Sequence, residues 1–189
     1  MIINGKTTLK DFIFYSNIFN IGEQEVQGLF DELEKKGKPH SILKRIVPDN
    51  LNNLTLAELV TLQEARTLES TIFVSAKIIL DIDREELLKA KAFDVIRFMF
   101  FVRNELEKIA KLFSDIQYKP TQEEIQAGIK NIDNGIFGTI DWYAKRMGII
   151  DHDFASETKW IIVYQCMKID NTSAAFEKRL REILSKKKK

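Results

Sequence analysis

A chain of 189 residues, 44% hydrophobic and 30% charged, has the length of one domain and enough apolar content for a core, which excludes disorder over most of it. The formal net charge is +1, so no global field draws the chain to nucleic acid or to an anionic membrane. A single cysteine, Cys166, excludes an internal disulfide, and no window approaches the roughly eighteen continuous apolar residues of a membrane span.

Thr7 or Thr8 is expected to cap a first helix over about Leu9 to Phe19, ended by Asn20 and Gly22. The early apolar run is broken by Asp11, Ser16 and Asn17 and lacks a small-residue cleavage site, so no secretory signal is read there. A second helix, Glu23 to Lys36, places Val26, Leu29, Phe30 and Leu33 on one stripe and stops at Gly37. Pro39 to Val47 reads as one or two turns. Pro48-Asp49-Asn50 is the best internal boundary, dividing an N-terminal helical segment (1–48), packed on the rest, from a main helical domain (49–189).

Thr55 and Glu58 match a capping box at the start of the next helix, and Asp83 to Glu86 a second one. Between them, Glu69 to Leu80 is rich in β-branched residues, yet Ile72, Ser75/Ala76, Ile79 and Leu80 keep a helical spacing, so helix is preferred over strand. The longest helix is expected from about Ala90 to Ser114, where Val95, Phe98, Met99, Val102, Leu106, Ile109 and Phe113 recur every three or four residues. Thr121 and Glu124 mark a helix that runs to Ile132 and breaks at Gly135. Further helices are expected over Thr139 to Met147, ending at Gly148, and over Ala155 to Ile169. Asn171 or Thr172 would cap the last, from Ser173 to Leu184, with Phe176, Leu180, Ile183 and Leu184 on its apolar face. No repeat period is visible. The expected class is all-α, an irregular orthogonal bundle of about eight or nine helices.

The stretch from Gly128 to Asp153 looks most like a site, because it gathers four glycines, Trp142, His152 and two acidic clusters. Asp151-His152-Asp153 offers three ligand types in a row, but adjacent residues seldom converge on one ion, and Asp153 is better read as a helix cap. Asp133-Asn134-Gly135 lacks the ligand spacing of a calcium loop, with Ala144 where a bidentate Glu belongs. Phosphate-cradling glycine loops and nucleophile elbows are absent, and Cys166 has no neighbouring activator. No cofactor, metal or catalytic residue is assigned, and the chain reads as a non-enzyme. Trp142, Tyr143, Arg146 and Trp160 are the candidate partner-binding residues, since aromatics beside an Arg are the usual composition of a hot spot. Glu177 to Lys189 holds seven Lys/Arg against two Glu. Lys178, Arg179, Arg181, Lys186, Lys187, Lys188 and Lys189 therefore give the alternative, a nucleic-acid-associated or regulatory protein.

Four segments between Leu54 and Leu184, LTLAELVTLQEA, DIDREELLKAKAFDVIRFM, IDWYAKRMGI and KWIIVYQCMKID, resemble the small helical proteins of tailed-phage morphogenesis clusters, tail assembly chaperones above all. Met1 to Pro48 is not covered. The resemblance implies a protein that binds tail tube, tape-measure or head–tail components, or itself, during virion assembly. It would work in the cytoplasm of the infected host, with no membrane, and be retained or not in the particle.

Overall fold

The structure, a computed structural model, describes residues 5–19, 31–65, 67–116, 122–128 and 135–187. These residues are almost entirely helical, as the composition led one to expect. In chain order they form α1 (Leu9–Phe19), β1 (Ser41–Ile42), β2 (Arg45–Ile46), α2 (Leu56–Glu64), α3 (Leu68–Leu80) and α4 (Arg84–Leu87). Then come α5 (Ala92–Ile116), α6 (Gln122–Gln126), α7 (Gly135–Met147), α8 (His152–Ser156) and α9 (Trp160–Lys187). Residues 31–35 are also helical. The expected features at Asn20 to Phe30, Pro120, Thr121 and Ile129 to Asn134 lie outside the described residues. No described helix is long and apolar enough to cross a membrane.

The chain divides into two compact units that interleave in sequence, and neither begins at residue 49. Unit 1 comprises Met1–Leu51 and Thr61–Lys108; unit 2 comprises Asn52–Val60 and Ile109–Lys189.

Unit 1 starts where Thr8 caps α1. Its Oγ1 accepts from the Asp11 amide at 3.2 Å and donates to the Asp11 carboxylate at 2.7 Å. An antiparallel bridge joins Thr8 to Lys91, with Leu9 N–H on Ala90 O (2.8 Å) and Ala92 N–H on Thr7 O (2.9 Å), so the starts of α1 and α5 are tied together. The core beneath holds Leu9, Leu33, Ile42, Val47, Leu80, Ile82, Leu87, Val95, Phe98 and Val102. Gly37, at φ +67, ends the 31–35 helix. The carbonyls left open there are taken up by Arg97, which donates to Gly37 O (2.8 Å), Lys36 O (3.1 Å) and Lys38 O (3.1 Å). Where one or two turns were expected, β1 and β2 pair as a tight hairpin, Ser41 opposite Ile46 and Ile42 opposite Arg45. Its turn residues Leu43 (φ 46) and Lys44 (φ 69) are both left-handed, a conformation that neither side chain favours. The segment preferred as helix over strand is α3, begun by a Thr67/Ser70 capping box that the sequence reading missed. The box expected at Asp83 does not form. Asp83 stands at the N-cap of α4 without a side-chain cap bond, its carboxylate drawn 3.0 Å from Lys77 instead.

Unit 2 repeats part of this order of elements, without a hairpin among its described residues. Thr55 and Glu58 form the expected capping box, with Thr55 N–H on Glu58 Oε2 (2.8 Å) and Glu58 N–H on Thr55 Oγ1 (3.1 Å). A second antiparallel bridge, Thr55 to Lys159, ties the starts of α2 and α9 through Leu56 N–H on Thr158 O (2.8 Å) and Trp160 N–H on Leu54 O (3.1 Å). Like the 13-residue α3, the 13-residue α7 ends at a left-handed residue, Asp81 in one case and Gly148 in the other. A short helix with an Asp at its N-cap, Asp83 or Asp151, follows each. Then comes the bridge Lys, Lys91 or Lys159, and a long helix whose first apolar residues are buried (Ala92 and Val95; Trp160 and Val163). The pairs from Asp83 and Asp151 onward share one spacing in the chain, whereas Thr8 and Thr55 stand closer together. A repeat interrupted this way has no period to read.

Three boundaries need correction. Gly135 does not break a helix but begins α7. The helix expected from Ala155 is two, α8 and α9. Asn171 and Thr172 cap nothing: α9 runs through them for 28 residues, about 42 Å, with Thr172 Oγ1 bonded back to Lys168 O (2.7 Å) and Asn171 Nδ2 donating to Ile116 O (2.5 Å).

Candidate interaction surface

Of the residues nominated for partner binding, two are core. Trp160 is 1% exposed and Tyr143 4%, so neither offers a face to another molecule. Trp160 packs near Phe113 (6.1 Å between ring centroids) and Tyr164 (6.4 Å), and burial of such rings anchors unit 2. Trp142 is half-buried beside Tyr143. Arg146 is committed to Asp170 by two hydrogen bonds, Nε to Oδ2 at 3.0 Å and Nη2 to Oδ1 at 3.2 Å, and its Nη1 lies 3.3 Å from Cys166 Sγ. The planar guanidinium fork matches a carboxylate, and this pairing raises the already high proton affinity of Arg146.

The α7–α8 corner that looked like a ligand cluster is a structural network. Asp151, not Asp153, caps α8, its carboxylate accepting from the Asp153 amide (2.8 Å) and the Phe154 amide (3.3 Å). His152 Nε2 lies 3.1 Å from Asp141 Oδ1, and Lys145 donates to the other Asp141 oxygen at 2.6 Å. The Lys145 hydrogen bond, then that of His152, holds the Asp141 carboxyl below the usual aspartate range. The Phe137 ring stacks on His152 at 5.2 Å. Among the described residues no group of three or more His, Cys, Asp or Glu is placed to hold a metal ion. Beside the exposed Lys145, Asp151 and Asp153, the corner presents large apolar side chains to solvent: Ile150 (95% exposed), Phe154 (68%), Phe137 and Met147.

A longer apolar surface lies on α9. Every residue from Asn171 to Lys186 is exposed, yet Ile169, Phe176, Leu180, Ile183 and Leu184 recur at spacings of three, four and seven, within an arc of about 100° on one side of the helix. The basic residues Lys178, Arg179, Arg181 and Lys186 stand exposed on the same turns, with Arg181 3.5 Å from Glu177. The Lys187 side chain, Lys188 and Lys189 lie outside the described residues. Sequence periodicity had already placed Phe176, Leu180, Ile183 and Leu184 on a common face. It carried no sign that the face is bare.

Unit 1 holds a groove of about 400 Å³ between α3 and α4, with the end of α2 contributing Thr61. Phe73, Val74 and Ile78 form its floor, and Lys77, Asp83 and Arg84 its rim. Lys77 bridges Asp81 (2.6 Å) and Asp83 (3.0 Å), and Arg84 pairs with Glu69 while lying 4.3 Å over the Phe73 ring. Nothing in the sequence reading marked this groove.

No protein-family model matches the chain, and neither a curated protein nor a solved structure shows significant similarity to it.

Proposed function

We propose that this chain is a non-catalytic assembly protein of a tailed bacteriophage, which binds other structural proteins of the virion or tail through the apolar face of α9. The observation that carries the reading is the exposure of that face: Phe176, Leu180, Ile183 and Leu184 share one side of a helix whose residues 171–186 are all open to solvent. Contiguous apolar surface left bare on a folded chain marks a docking site, and an amphipathic helix laid in a groove is a recurrent docking mode. The phage context rests on the resemblance of segments that fall on α2, α4 and α5, α7 and α9, and it names tail tube, tape-measure or head–tail proteins as partners. The titratable groups of the α7–α8 corner support the non-catalytic reading, since Asp141, Lys145, His152 and Asp151 are engaged with one another or with helix amides.

The alternative, nucleic-acid binding through Lys178, Arg179, Arg181 and Lys186, would leave the apolar face in water, so it is the weaker reading. A phage carrying Phe176→Gln with Ile183→Gln tests the proposal. Both positions are exposed, so the fold should change by no more than about 0.5 kcal/mol. Heads without tails, or tails of abnormal length, are expected in electron micrographs; wild-type particles from that mutant contradict the reading.

A further inference from the structure

We propose that α9 joins further copies of this chain in a parallel coiled coil of three or four strands, along a seven-residue repeat of exposed apolar side chains. This rests on reading the α9 face as a protein-docking surface, and it names one partner, the chain itself.

Ile162, Ile169, Phe176 and Ile183 stand seven residues apart on α9. All four are exposed, by 43 to 58%. Four residues after each of the first three come Cys166, Ser173 and Leu180, which completes the alternating four-three spacing of a coiled-coil seam. Ser173 and Leu180 are exposed, and Cys166 is half-buried beside Arg146. At about 100° per residue, this seam lies on the side of the helix away from Trp160 and Val163, which α9 buries in its own unit. It is therefore a second apolar face and not an extension of the core-facing one. From Asn171 to Lys186 every position is exposed, so that part of the helix is open on all sides.

The period says what covers the seam. Side chains seven apart drift by about 20° per heptad around a straight helix, and a left-handed supercoil removes the drift. A groove does not require so strict a spacing, whereas a supercoil does, and its other strand must carry a seam of the same period. Another copy of α9 carries one.

Flank charge sets the direction. With Phe176 at the heptad position lettered d, Glu177 and Leu184 fall at e, and Thr172 and Arg179 at g. Parallel helices in register set the g flank of one against the e flank of the next, so Thr172 meets Glu177 and Arg179 meets Leu184, with no like charges paired. Antiparallel helices overlapping along the free part would set Arg179 against Arg179 and Glu177 against Glu177, which is unfavourable. Ile at three of the four d positions, with Leu180 at a, suits three or four strands better than two. A bundle of this kind is closed, so association stops at that number.

Sedimentation equilibrium of the full chain tests this. The wild type should reach a mass of three or four chains as concentration rises. Phe176→Gln with Ile183→Gln should stay monomeric, with the melting of the rest of the chain unchanged. Two alanines inserted after Ala174 should also abolish association. They remove no apolar side chain, but they turn Phe176 and Ile183 about 200° away from Ile162 and Ile169. Under mild oxidation by glutathione disulfide, Ile183→Cys with Cys166→Ser should give disulfide-joined copies, because only parallel order in register brings one position 183 beside another. A wild type that stays monomeric or stops at a dimer overturns the proposal. So does association that survives the glutamine or insertion variants, or that yields no disulfide at position 183. A monomer whose α9 binds anionic phospholipid vesicles instead also overturns it. Monomeric wild type combined with defective particles from the Phe176→Gln/Ile183→Gln phage defeats this inference alone; self-association combined with normal particles defeats the functional reading alone.

Discussion

The guanidinium of Arg146 and the carboxylate of Asp170 meet through two hydrogen bonds, 3.0 and 3.2 Å long, and this pair marks where α9 passes from partly buried to exposed. Up to Asp170 many of the side chains of α9 are buried or half-buried; from Asn171 to Lys186 all are exposed. Arg146 on α7 thereby fixes the base of the free helix end.

Arg146→Lys keeps the charge but loses the fork that holds both carboxylate oxygens. Amide hydrogen exchange should quicken in the last turn of α7 and around Asp170, and stay unchanged in α3 and α5. Unchanged exchange around Asp170 would show that the pair does not anchor α9.

The Asp141 carboxyl titrates below the usual aspartate range because Lys145, and then His152, hydrogen-bond its charged form. A lowered folded-state value means that its contribution to stability is complete above the unfolded-state value. That contribution is lost as the pH falls through the folded-state value. Thermal melts should therefore show a drop below about pH 4 that is shallower in Asp141→Asn. Parallel pH profiles for the two proteins would count against the network.

Ser75 is fully buried in α3, and its hydroxyl finds no hydrogen-bond partner among the described residues. An orphaned buried hydroxyl costs about 1–3 kcal/mol, so Ser75→Ala should raise the denaturation midpoint. A lower midpoint would mean that the hydroxyl is satisfied in solution.

The Leu43-Lys44 turn holds two side chains in the left-handed region, each at a cost of about 1–2 kcal/mol. Asn-Gly in their place suits a hairpin turn with positive φ at both positions. Stability to urea should rise by about 1 kcal/mol or more; a fall would show that the Leu43 side chain contributes more than its backbone costs.

What could be read from the residues was what local chemistry decides. Thr55 and Glu58 satisfy each other's amides within one turn, so their capping box was legible. Asp83 carried a similar signature and failed, because a Lys on a different helix, Lys77, competes for its carboxylate. Asn171 and Thr172 look like caps, but each finds a partner that leaves the helix intact. Leu43-Lys44 has no turn signature, so the hairpin could not be foreseen. Tyr143 and Trp160 have a hot-spot composition, yet composition does not distinguish a buried aromatic from an exposed one. The same holds for α9: spacing assigned Phe176 and Ile183 to one face, while what covers a face is decided by the rest of the fold.

The most direct test of the docking face is a photo-crosslinking phenylalanine analogue at position 176, irradiated in cells that are assembling particles. The account predicts covalent adducts at that position with structural proteins of the phage, copies of this chain included. Adducts with nucleic acid alone, or none despite normal expression of the folded chain, would contradict it.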